Sequence, residues 1–418
     1  SVKPGSTMKG VSMSEKGKSR VSIAKVANDD IASAVERAVD LVGGFSKYIK
    51  KGDKVALKPN LAYPYPPPAT TDMRVVEAVA NACFKAGAAE VKIGDSSAYS
   101  CKPGLGVGKW TNMDVIMSDG LDKVCERTGA IVSDFDTDGF EMTKLPGGVI
   151  FEEVPIAKTL LEADVVINLP AMKMHMETLV TLAIKNYHGI IPDNYKVQWH
   201  KDEIMQKILD IHRGIKTHLT IMDGLVGMQG TGPRCGTPIE MGLILASDDM
   251  VAMDAVASEC MGLNHWEVDS TRIADMQGFG NGKMENIEVV GEKIADVMKR
   301  FDRPDIAMYP DVKMIKGGPC VHCYGRTRIL MDTLYKEGLE KDGEIGAVFV
   351  GINPRQIPIE QIKGNAFFVG DCAISTTCNL RYALGDRAIC VDGCPPIASV
   401  HRELDKLAER YPKQKKED

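Results

Sequence analysis

Short apolar runs alternate with helix-like segments almost from the start of this 418-residue chain, and no other feature constrains its fold as strongly. Residues 21–27 and 54–58 are typical of strands, whereas residues 31–42 carry the apolar spacing of an amphipathic helix. Asp72 is placed to cap a second helix, which ends before Gly87. Strands and helices that follow one another in this way predict a mostly parallel sheet covered by helices.

The same alternation continues to the C-terminal region. We predict further strands at 91–93, 164–168, 219–222 and 241–246, with helices at 202–215 and 249–261. A smaller unit begins near residue 316, with a helix at 327–337, strands at 347–350 and 366–369, and a closing helix at 397–410. We therefore expect a disordered leader (1–20), an α/β domain (21–315) and a smaller cysteine-rich α/β unit (316–418).

Composition excludes several classes of protein. A net charge of −6 argues against a nucleic-acid-binding surface, which requires a basic excess. No apolar run approaches the roughly 18 residues that cross a bilayer, and the first twenty residues lack a signal-peptide core. We expect a cytoplasmic protein with neither nucleic acid nor membrane as a partner. The chain begins at Ser1 rather than at methionine, which is compatible with a removed presequence.

Polar side chains follow several predicted strands, at the sheet edge where α/β proteins bind ligands. The candidate ligand-binding residues are Lys58, Asn60, Asp95, Ser96, Asn186 and Asp223, and the candidate catalytic residues are Lys173, His175, Lys185 and His188. Lysines beside histidines suit an anionic small molecule, with a histidine moving protons near neutral pH. The alternative is that these are ordinary loop residues or satisfied core groups. Together, at successive strand ends, they favour a binding crevice.

Several of these strand ends also form a family pattern. The segments concerned are Leu57-Lys-Pro-Asn-Leu61, Gly94-Asp-Ser96, Asn168-Leu-Pro-Ala-Met-Lys-Met-His175, Thr181-Leu-Ala-Ile-Lys-Asn186 with Gly189, and Met222-Asp-Gly224. Over residues 21–265 the chain resembles the "domain of unknown function 362" family. The resemblance implies an α/β fold with a crevice and an association with iron–sulfur clusters. This chain lacks the Cys-x-x-Cys-x-x-Cys-x-x-x-Cys-Pro run of the ferredoxin segment that many members carry.

Six of the eleven cysteines lie between Cys320 and Cys394. Cys320 and Cys323 stand on a turn before a helix, Cys372 follows a strand, and Cys394 precedes two prolines. We predict these four thiols as metal ligands. Cys378 and Cys390 could replace one of them.

Four thiolates suit a [4Fe–4S] cluster or tetrahedral zinc equally by number. The wide separation of the ligands in sequence, together with the family resemblance, favours the cluster. Zinc, redox-active thiols and disulfides remain the alternatives. The neighbouring Arg326 and Arg328 are expected to face solvent or to screen the charge of the cluster.

The resulting hypothesis is an iron–sulfur protein that couples electron transfer to an anionic small molecule, and thus a candidate iron–sulfur oxidoreductase. Alternatives are a non-catalytic ligand-binding protein with a structural cluster or zinc site, and a metal-dependent hydrolase or isomerase using Asp95 and the histidines. A redox partner protein and a homo-oligomer are both compatible with the sequence.

Overall fold

The computed structural model describes residues 17–103, 109–199, 203–234, 236–304, 312–336 and 345–394, together with a few positions between 396 and 406. Residues 1–16 of the predicted leader and most of the predicted closing helix 397–410 lie outside the described residues. The first strand already begins at Ser19, inside the stretch assigned to the leader.

Sixteen strands are present in the described part of the chain. They are β1 Ser19–Lys25, β2 Lys54–Pro59, β3 Glu90–Asp95, β4 Ile131–Asp134, β5 Phe140–Lys144, β6 Glu153–Ala157, β7 Val165–Leu169, β8 Ala171–His175, β9 Leu179–Thr181, β10 Leu219–Gln229, β11 Thr237–Ser247, β12 Ile287–Gly291, β13 Lys313–Gly317, β14 Ile345–Gly351, β15 Asn365–Val369 and β16 Ala388–Val391.

Sixteen α-helical segments lie between these strands in the same part of the chain. They are α1 Ile31–Asp40, α2 Phe45–Tyr48, α3 Met73–Lys85, α4 Asn112–Met117, α5 Leu121–Thr128, α6 Phe135–Asp138, α7 Lys158–Leu161, α8 Ala183–Asn186, α9 Asp193–Trp199, α10 Ile204–Ile211, α11 Met250–Cys260, α12 Asp269–Met276, α13 Ile294–Val297, α14 Val321–Lys336, α15 Asp371–Thr376 and α16 Cys378–Leu384. None of them is both long and apolar enough to cross a membrane.

The larger sheet has the order β12-β1-β11-β10-β7-β2-β3-β4, with β8 and β9 attached beside β10. Pairing is parallel from β10 through β7, β2 and β3 to β4, and antiparallel where β11 lies between β1 and β10. The predicted α/β class with a mostly parallel sheet is confirmed. The parallel half brings the carboxyl ends of β2, β3 and β7 to one edge, and this arrangement positions the site.

Local sequence explains why the helices begin where they do. The Asp72 side chain accepts a hydrogen bond from the Arg74 amide and caps α3, and Asp249 caps α11 in the same way through the amides of Val251 and Ala252. The apolar side of α3 then packs into the core on one face of the sheet.

The second sheet is small and entirely parallel, in the order β13-β14-β15-β16. Successive residues of β14 point to opposite faces, so Val348 packs beneath α14 while Phe349 packs against α16. Strand β13, which is partly exposed and contains two lysines, was not predicted from the sequence. All four strands end at one edge, where the cysteines lie.

The polar residues after the predicted strand 164–168 were expected at a strand end, whereas they lie on the antiparallel hairpin β8–β9. The strict alternation Met172-Lys173-Met174-His175 is a strand signature, because Met172 and Met174 enter the core while the two polar side chains face the other way.

Candidate functional site

A cavity of about 120 Å³ lies at the carboxyl ends of β2 and β3, beside the hairpin β8–β9 and α8. Nine of the ten predicted crevice residues line it: Lys58, Asn60, Asp95, Ser96, Lys173, His175, Lys185, Asn186 and His188. The tenth, Asp223, does not line the cavity. Its two carboxylate oxygens accept hydrogen bonds from the backbone amides of Asp72 and Leu225, so it holds the chain rather than a ligand.

A buried ion pair forms the floor of this cavity. Lys58 Nζ lies 2.8 Å from Asp95 Oδ1, and the two side chains are 1% and 2% exposed. Burial lowers the pKa of Lys58, and the neighbouring Asp95 opposes that shift. The other Asp95 oxygen accepts a hydrogen bond from the Leu61 amide at 2.8 Å. Asp95 is therefore engaged by the protein itself, which disfavours the hydrolase hypothesis that made it a metal ligand.

An amide network connects the floor to the lysine on β8. Asn60 Nδ2 donates to Asn186 Oδ1 at 3.0 Å, and Asn186 Nδ2 donates to Asn168 Oδ1 at 2.8 Å. Lys173 Nζ donates to Asn60 Oδ1 at 3.0 Å and to the carbonyl of Ala69 at 2.8 Å. These bonds orient the side chains before any ligand binds.

Two buried lysines line the cavity, and their burial disfavours the charged form of each amine. Burial, then the charges of Lys185 and Lys58, lower the pKa of Lys173 to about 7. Burial lowers the pKa of Lys185 to about 8, with Glu177 opposing and Arg326 adding to the shift. An anion beside these amines would restore their protonation, because an opposite charge favours the charged form.

Lys185 is placed by a buried carboxylate behind it. Asp254 on α11 accepts hydrogen bonds from the amides of Ala183 and Ile184, at 2.7 and 3.2 Å, and thereby fixes the start of α8. Burial raises the pKa of Asp254 to about 7, although the two amides act in the opposite direction. The short α8 then directs Lys185 and Asn186 to the cavity.

His175 has a defined orientation. Its Nδ1 accepts hydrogen bonds from the amides of Glu177 and Thr178, at 3.0 and 3.3 Å, so the proton of the neutral ring is on Nε2. His188 also lines the cavity, and its ring lies 6.1 Å from that of Trp199.

Several basic and aromatic residues of the cavity were not predicted from the sequence: Tyr63, Tyr99, Lys196, Arg234 and Arg326. Lys196 Nζ donates to the carbonyls of Ser96 and Ser97, both at 2.9 Å, and burial lowers its pKa to about 8. It lies on α9, so only the tertiary fold brings it beside β3. No local pattern in the sequence distinguishes it from a surface lysine.

Arg326 connects the cavity to the cysteine-bearing unit. The sequence suggested a solvent-facing or charge-screening role, but the side chain is 9% exposed and its Nη2 lies 2.8 Å from Glu177 Oε1. The helix that carries it approaches the hairpin closely: a Cβ at Gly325 would lie 3.0 Å from Met176 Sδ. This approach brings a guanidinium group from α14 into the wall of the cavity.

Some buried polar atoms of the wall have no hydrogen-bond partner among the described residues. These atoms are the hydroxyls of Ser97 and Thr181 and the Nε of Arg326. Burying a polar group without a partner is costly, so such atoms indicate where a ligand or water would bind. All three residues line the cavity.

The four predicted cysteine ligands lie at the carboxyl edge of the small sheet. Cys320 precedes α14 and Cys323 lies in its first turn, Cys372 lies at the start of α15, and Cys394 follows β16. Cys323 is buried, Cys372 is partly buried, and Cys320 and Cys394 are exposed. Three of the four strands therefore deliver a thiol to one edge.

The four thiols act on one another electrostatically. Burial, then the proximity of Cys320, Cys394 and Cys372, raise the pKa of Cys323 to about 12. Burial and then the proximity of Cys372 and Cys320 raise the pKa of Cys394.

The two remaining cysteines of this region have other surroundings. Cys378 is exposed on α16, and Cys390 Sγ lies 3.6 Å from Arg381 Nη1. Neither contributes to the shift at Cys323.

The donor set fits a soft metal centre in its chemistry. In the part of the chain that the structure describes, no three His, Cys, Asp or Glu side chains already have the geometry of a metal site. Four thiols nevertheless lie at this edge, and thiolates are the ligands that iron–sulfur clusters and zinc select. Gly370 has φ +87°, and a Cβ there would lie 2.7 Å from Cys323 Sγ, so the backbone leaves room beside this sulfur.

Comparison with known proteins gives a family match for a segment of the larger sheet. Residues 55–259 match the family described as Domain of unknown function (DUF362). The resemblance drawn from the strand-end motifs is confirmed over this segment.

Two further similarities come from individual proteins. The chain is 29% identical over 242 residues to a thylakoid-associated protein of Synechocystis sp., covering 56% of this chain and 71% of that protein. Among solved structures, the lactate racemase apoprotein of Thermoanaerobacterium thermosaccharolyticum aligns over 92% of this chain and 94% of its own, with 11% identity and a TM-score of 0.36.

The DUF362 segment contains all nine predicted crevice residues that line the cavity. Arg326 and the four clustered cysteines lie beyond the matched residues. The cavity is thus assembled from the DUF362 segment and completed by the helix that carries Cys323.

Proposed function

We propose that this chain is an iron–sulfur protein that couples electron transfer to an anionic small molecule bound in the cavity. The observation that supports this most is the path of α14. The helix begins beside the thiols, and Arg326, one turn after Cys323, reaches the cavity wall. Residues three apart on a helix are neighbours, with about 5–6 Å between their Cβ atoms, so the two sites are close.

The charge of the cavity supports an anionic ligand. Six basic side chains line it (Lys58, Lys173, Lys185, Lys196, Arg234 and Arg326), against one carboxylate, Asp95. Asp95 pairs with Lys58, whereas no carboxylate of the described residues lies within ion-pair distance of Lys173 or Lys185. This excess of basic groups therefore favours a carboxylate or a phosphate.

The carboxyl edge of the small sheet, where four thiols lie, is called the thiol edge below. It supports a cluster bound by Cys320, Cys323, Cys372 and Cys394. A [4Fe–4S] cluster held there would supply or accept single electrons. The chain's own contribution is to bury one sulfur, at Cys323, while leaving Cys320 and Cys394 open to a partner. Zinc is the alternative with the same ligands, and it would make the site structural.

The cavity residues have separate roles in this proposal. Lys185 and Arg326 bind the anion, while Lys58 pairs with Asp95 and holds the floor in place. His175, with its proton on Nε2, and Lys173, with a pKa of about 7, can exchange protons with the ligand near neutral pH. A cytoplasmic location, a redox partner protein and a homo-oligomer are further parts of the proposal.

Anaerobic purification with iron, sulfide and zinc analysis tests the cluster. We expect stoichiometric iron and sulfide, a broad visible absorption that bleaches with dithionite, and a paramagnetic resonance signal in the reduced protein. Stoichiometric zinc without iron would contradict the cluster.

Calorimetry with phosphate and with pyruvate tests the anion site. We expect binding that is weakened by about tenfold or more in Lys185→Met and unchanged in Lys123→Met, which alters an exposed lysine on α5. If the reduction potential of the loaded protein is the same with and without a bound anion, the non-catalytic alternative is favoured over coupled electron transfer.

A further inference from the structure

The arrangement of amines in the cavity points to a specific chemical class of ligand. We propose that Lys173 is a nucleophile that captures the carbonyl carbon of a small 2-oxo carboxylate as an imine, with Lys185 binding the carboxylate. This inference rests on the anion site proposed above and names its substrate class.

The bonding of Lys173 leaves its lone pair available. Its Nζ donates to Asn60 Oδ1 and to the Ala69 carbonyl, at 3.0 and 2.8 Å. A neutral amine has two hydrogens and one lone pair. Because the two acceptors bind both hydrogens, the lone pair remains available for reaction. The residue is 1% exposed and lines the cavity, so the nitrogen is shielded from bulk solvent but can be reached by a bound ligand.

The surroundings of Lys173 favour the neutral, nucleophilic amine. The nearby charges of Lys185 and Lys58 act with burial, and a desolvated lysine beside other cations is a recognised way to activate an amine. Lys58 is paired with Asp95 at 2.8 Å, and this carboxylate opposes the loss of its charge. The three amines therefore differ in function because their partners differ.

Lys185 differs from Lys173 in having no hydrogen-bond acceptor for its amine among the described residues. No hydrogen bond or ion pair connects its amine to another described residue, although the side chain is 92% buried and lines the cavity. Thr181, opposite Lys173 in the β8–β9 pairing, adds a buried hydroxyl without a partner. An ammonium group and a hydroxyl together provide donors for both oxygens of a carboxylate.

The size of the cavity restricts the ligand. Pockets for drug-sized molecules span about 300–1,000 Å³. This one is about 120 Å³, so a compact acid such as pyruvate fits the class better than a nucleotide.

The proposed step needs no oxidant or reductant. Lys173 Nζ attacks the carbonyl carbon, a carbon–nitrogen bond forms, and the carbonyl oxygen leaves as water. Both hydrogens of that water come, in net terms, from the amine nitrogen. His175 lines the same cavity and carries its proton on Nε2, so it can move a proton to the departing oxygen.

Reductive trapping tests this step. The purified protein is incubated with pyruvate and sodium cyanoborohydride, digested and mapped by mass spectrometry. We expect a stable carboxyethyl adduct on Lys173 and none on the exposed Lys123. Lys173→Arg should lose the adduct, whereas Lys185→Arg should retain it at a lower yield.

Trapping and calorimetry together distinguish a failure of the imine proposal from a failure of the anion-site proposal. Mapping of the wild-type protein does not depend on whether a variant folds, so an absent adduct on Lys173, or equal labelling of Lys123, overturns the imine. If pyruvate and acetate then still bind by calorimetry, the anion site stands without it. If neither pyruvate nor phosphate binds, the anion site itself is wrong.

Discussion

The cavity and the thiol edge lie at opposite ends of a single helix turn, yet they are organised in different ways. The cavity is built from buried groups that bind one another, such as Lys58 with Asp95 and Asn60 with Asn186. At the thiol edge, Cys320 and Cys394 are exposed, and no metal geometry is present among the described residues. The fold alone therefore orders the cavity, whereas we expect the thiol edge to reach its final geometry only when a metal binds.

The position of each site in its sheet explains this difference. The cavity lies beside central strands of the ten-stranded sheet, where neighbouring elements supply partners from several sides. The thiols lie on turns at the end of a four-stranded sheet, with Cys394 following its edge strand β16. Groups on turns make fewer fixed contacts than groups within a core.

The largest expected effect separates the two regions. Cys320→Ser and Cys394→Ser should each abolish cluster binding, because a cluster needs all four thiolates. Cys378→Ser should keep it, since that thiol lies apart on α16. Iron and sulfide analysis measures the outcome. Anion binding in the cavity should persist in all three variants, and its loss in Cys394→Ser would show that the two regions are not ordered independently.

Removing one partner of the Lys58–Asp95 pair should reduce the free energy of unfolding more than the other proposed substitutions. Lys58→Met leaves the buried Asp95 carboxylate without its cation, and removing one partner of a buried pair costs about 3–5 kcal/mol. Lys85→Met is the matched control, because Lys85 and Glu36 form an equally close pair that is 76% and 48% exposed. Such a surface pair contributes about 0–1 kcal/mol. Urea unfolding curves measure both, and equal losses would contradict a preorganised floor.

Lys185→Met should weaken binding and raise stability at once. Loss of the ammonium group should reduce phosphate affinity by about tenfold or more, equivalent to at least about 1.4 kcal/mol. The folded state lowers the pKa of this lysine to about 8, so burial opposes its charge and methionine relieves that cost. Calorimetry and thermal melting check the two effects. A lower melting temperature together with unchanged affinity would assign Lys185 a structural role.

Binding of acetate, whose own charge is constant across this pH range, should weaken as pH rises. Lys173 and Lys185 have pKa values of about 7 and about 8, so both lose their positive charge as pH passes through this window. In the unliganded protein, the free energy of unfolding changes with pH in the opposite direction to the binding affinity. Between these values and the ordinary 10.5 the unfolded chain holds more protons, so these two lysines make stability rise with pH. Calorimetry about one pH unit below and above the window measures the binding, and an affinity that does not change would contradict the lowered pKa values.

The smallest expected effect concerns the backbone beside Cys323. Gly370→Ala forces a left-handed conformation on alanine and places its Cβ 2.7 Å from Cys323 Sγ. We expect a loss of about 1–2 kcal/mol in stability and lower iron content. Gly385→Ala is the control, because its φ is +55° but nothing lies within 4 Å of the added Cβ. Equal iron content in the two variants would show that Gly370 does not shape the thiol edge.

Local sequence was sufficient for many of the helices and strands and for part of the cavity. The caps at Asp72 and Asp249 and the alternation of strands with helices are encoded within a few residues, so helix starts and the α/β class follow directly. Polar residues at the carboxyl ends of parallel strands meet at one edge, as Lys58, Asn60, Asp95 and Ser96 do in the cavity.

Long-range contacts decided the remainder. Asp223 also follows a strand, but the fold directs its oxygens to the amides of Asp72 and Leu225 rather than to the cavity. Arg326 and Lys196 reach the cavity because distant segments pack there, through Glu177 in one case and Ser96 in the other. Composition and periodicity describe each segment alone, so they predicted which residues end the strands. Only packing between segments far apart in the chain determined which of those residues, and which additional cations, share one cavity with the cysteine-bearing helix.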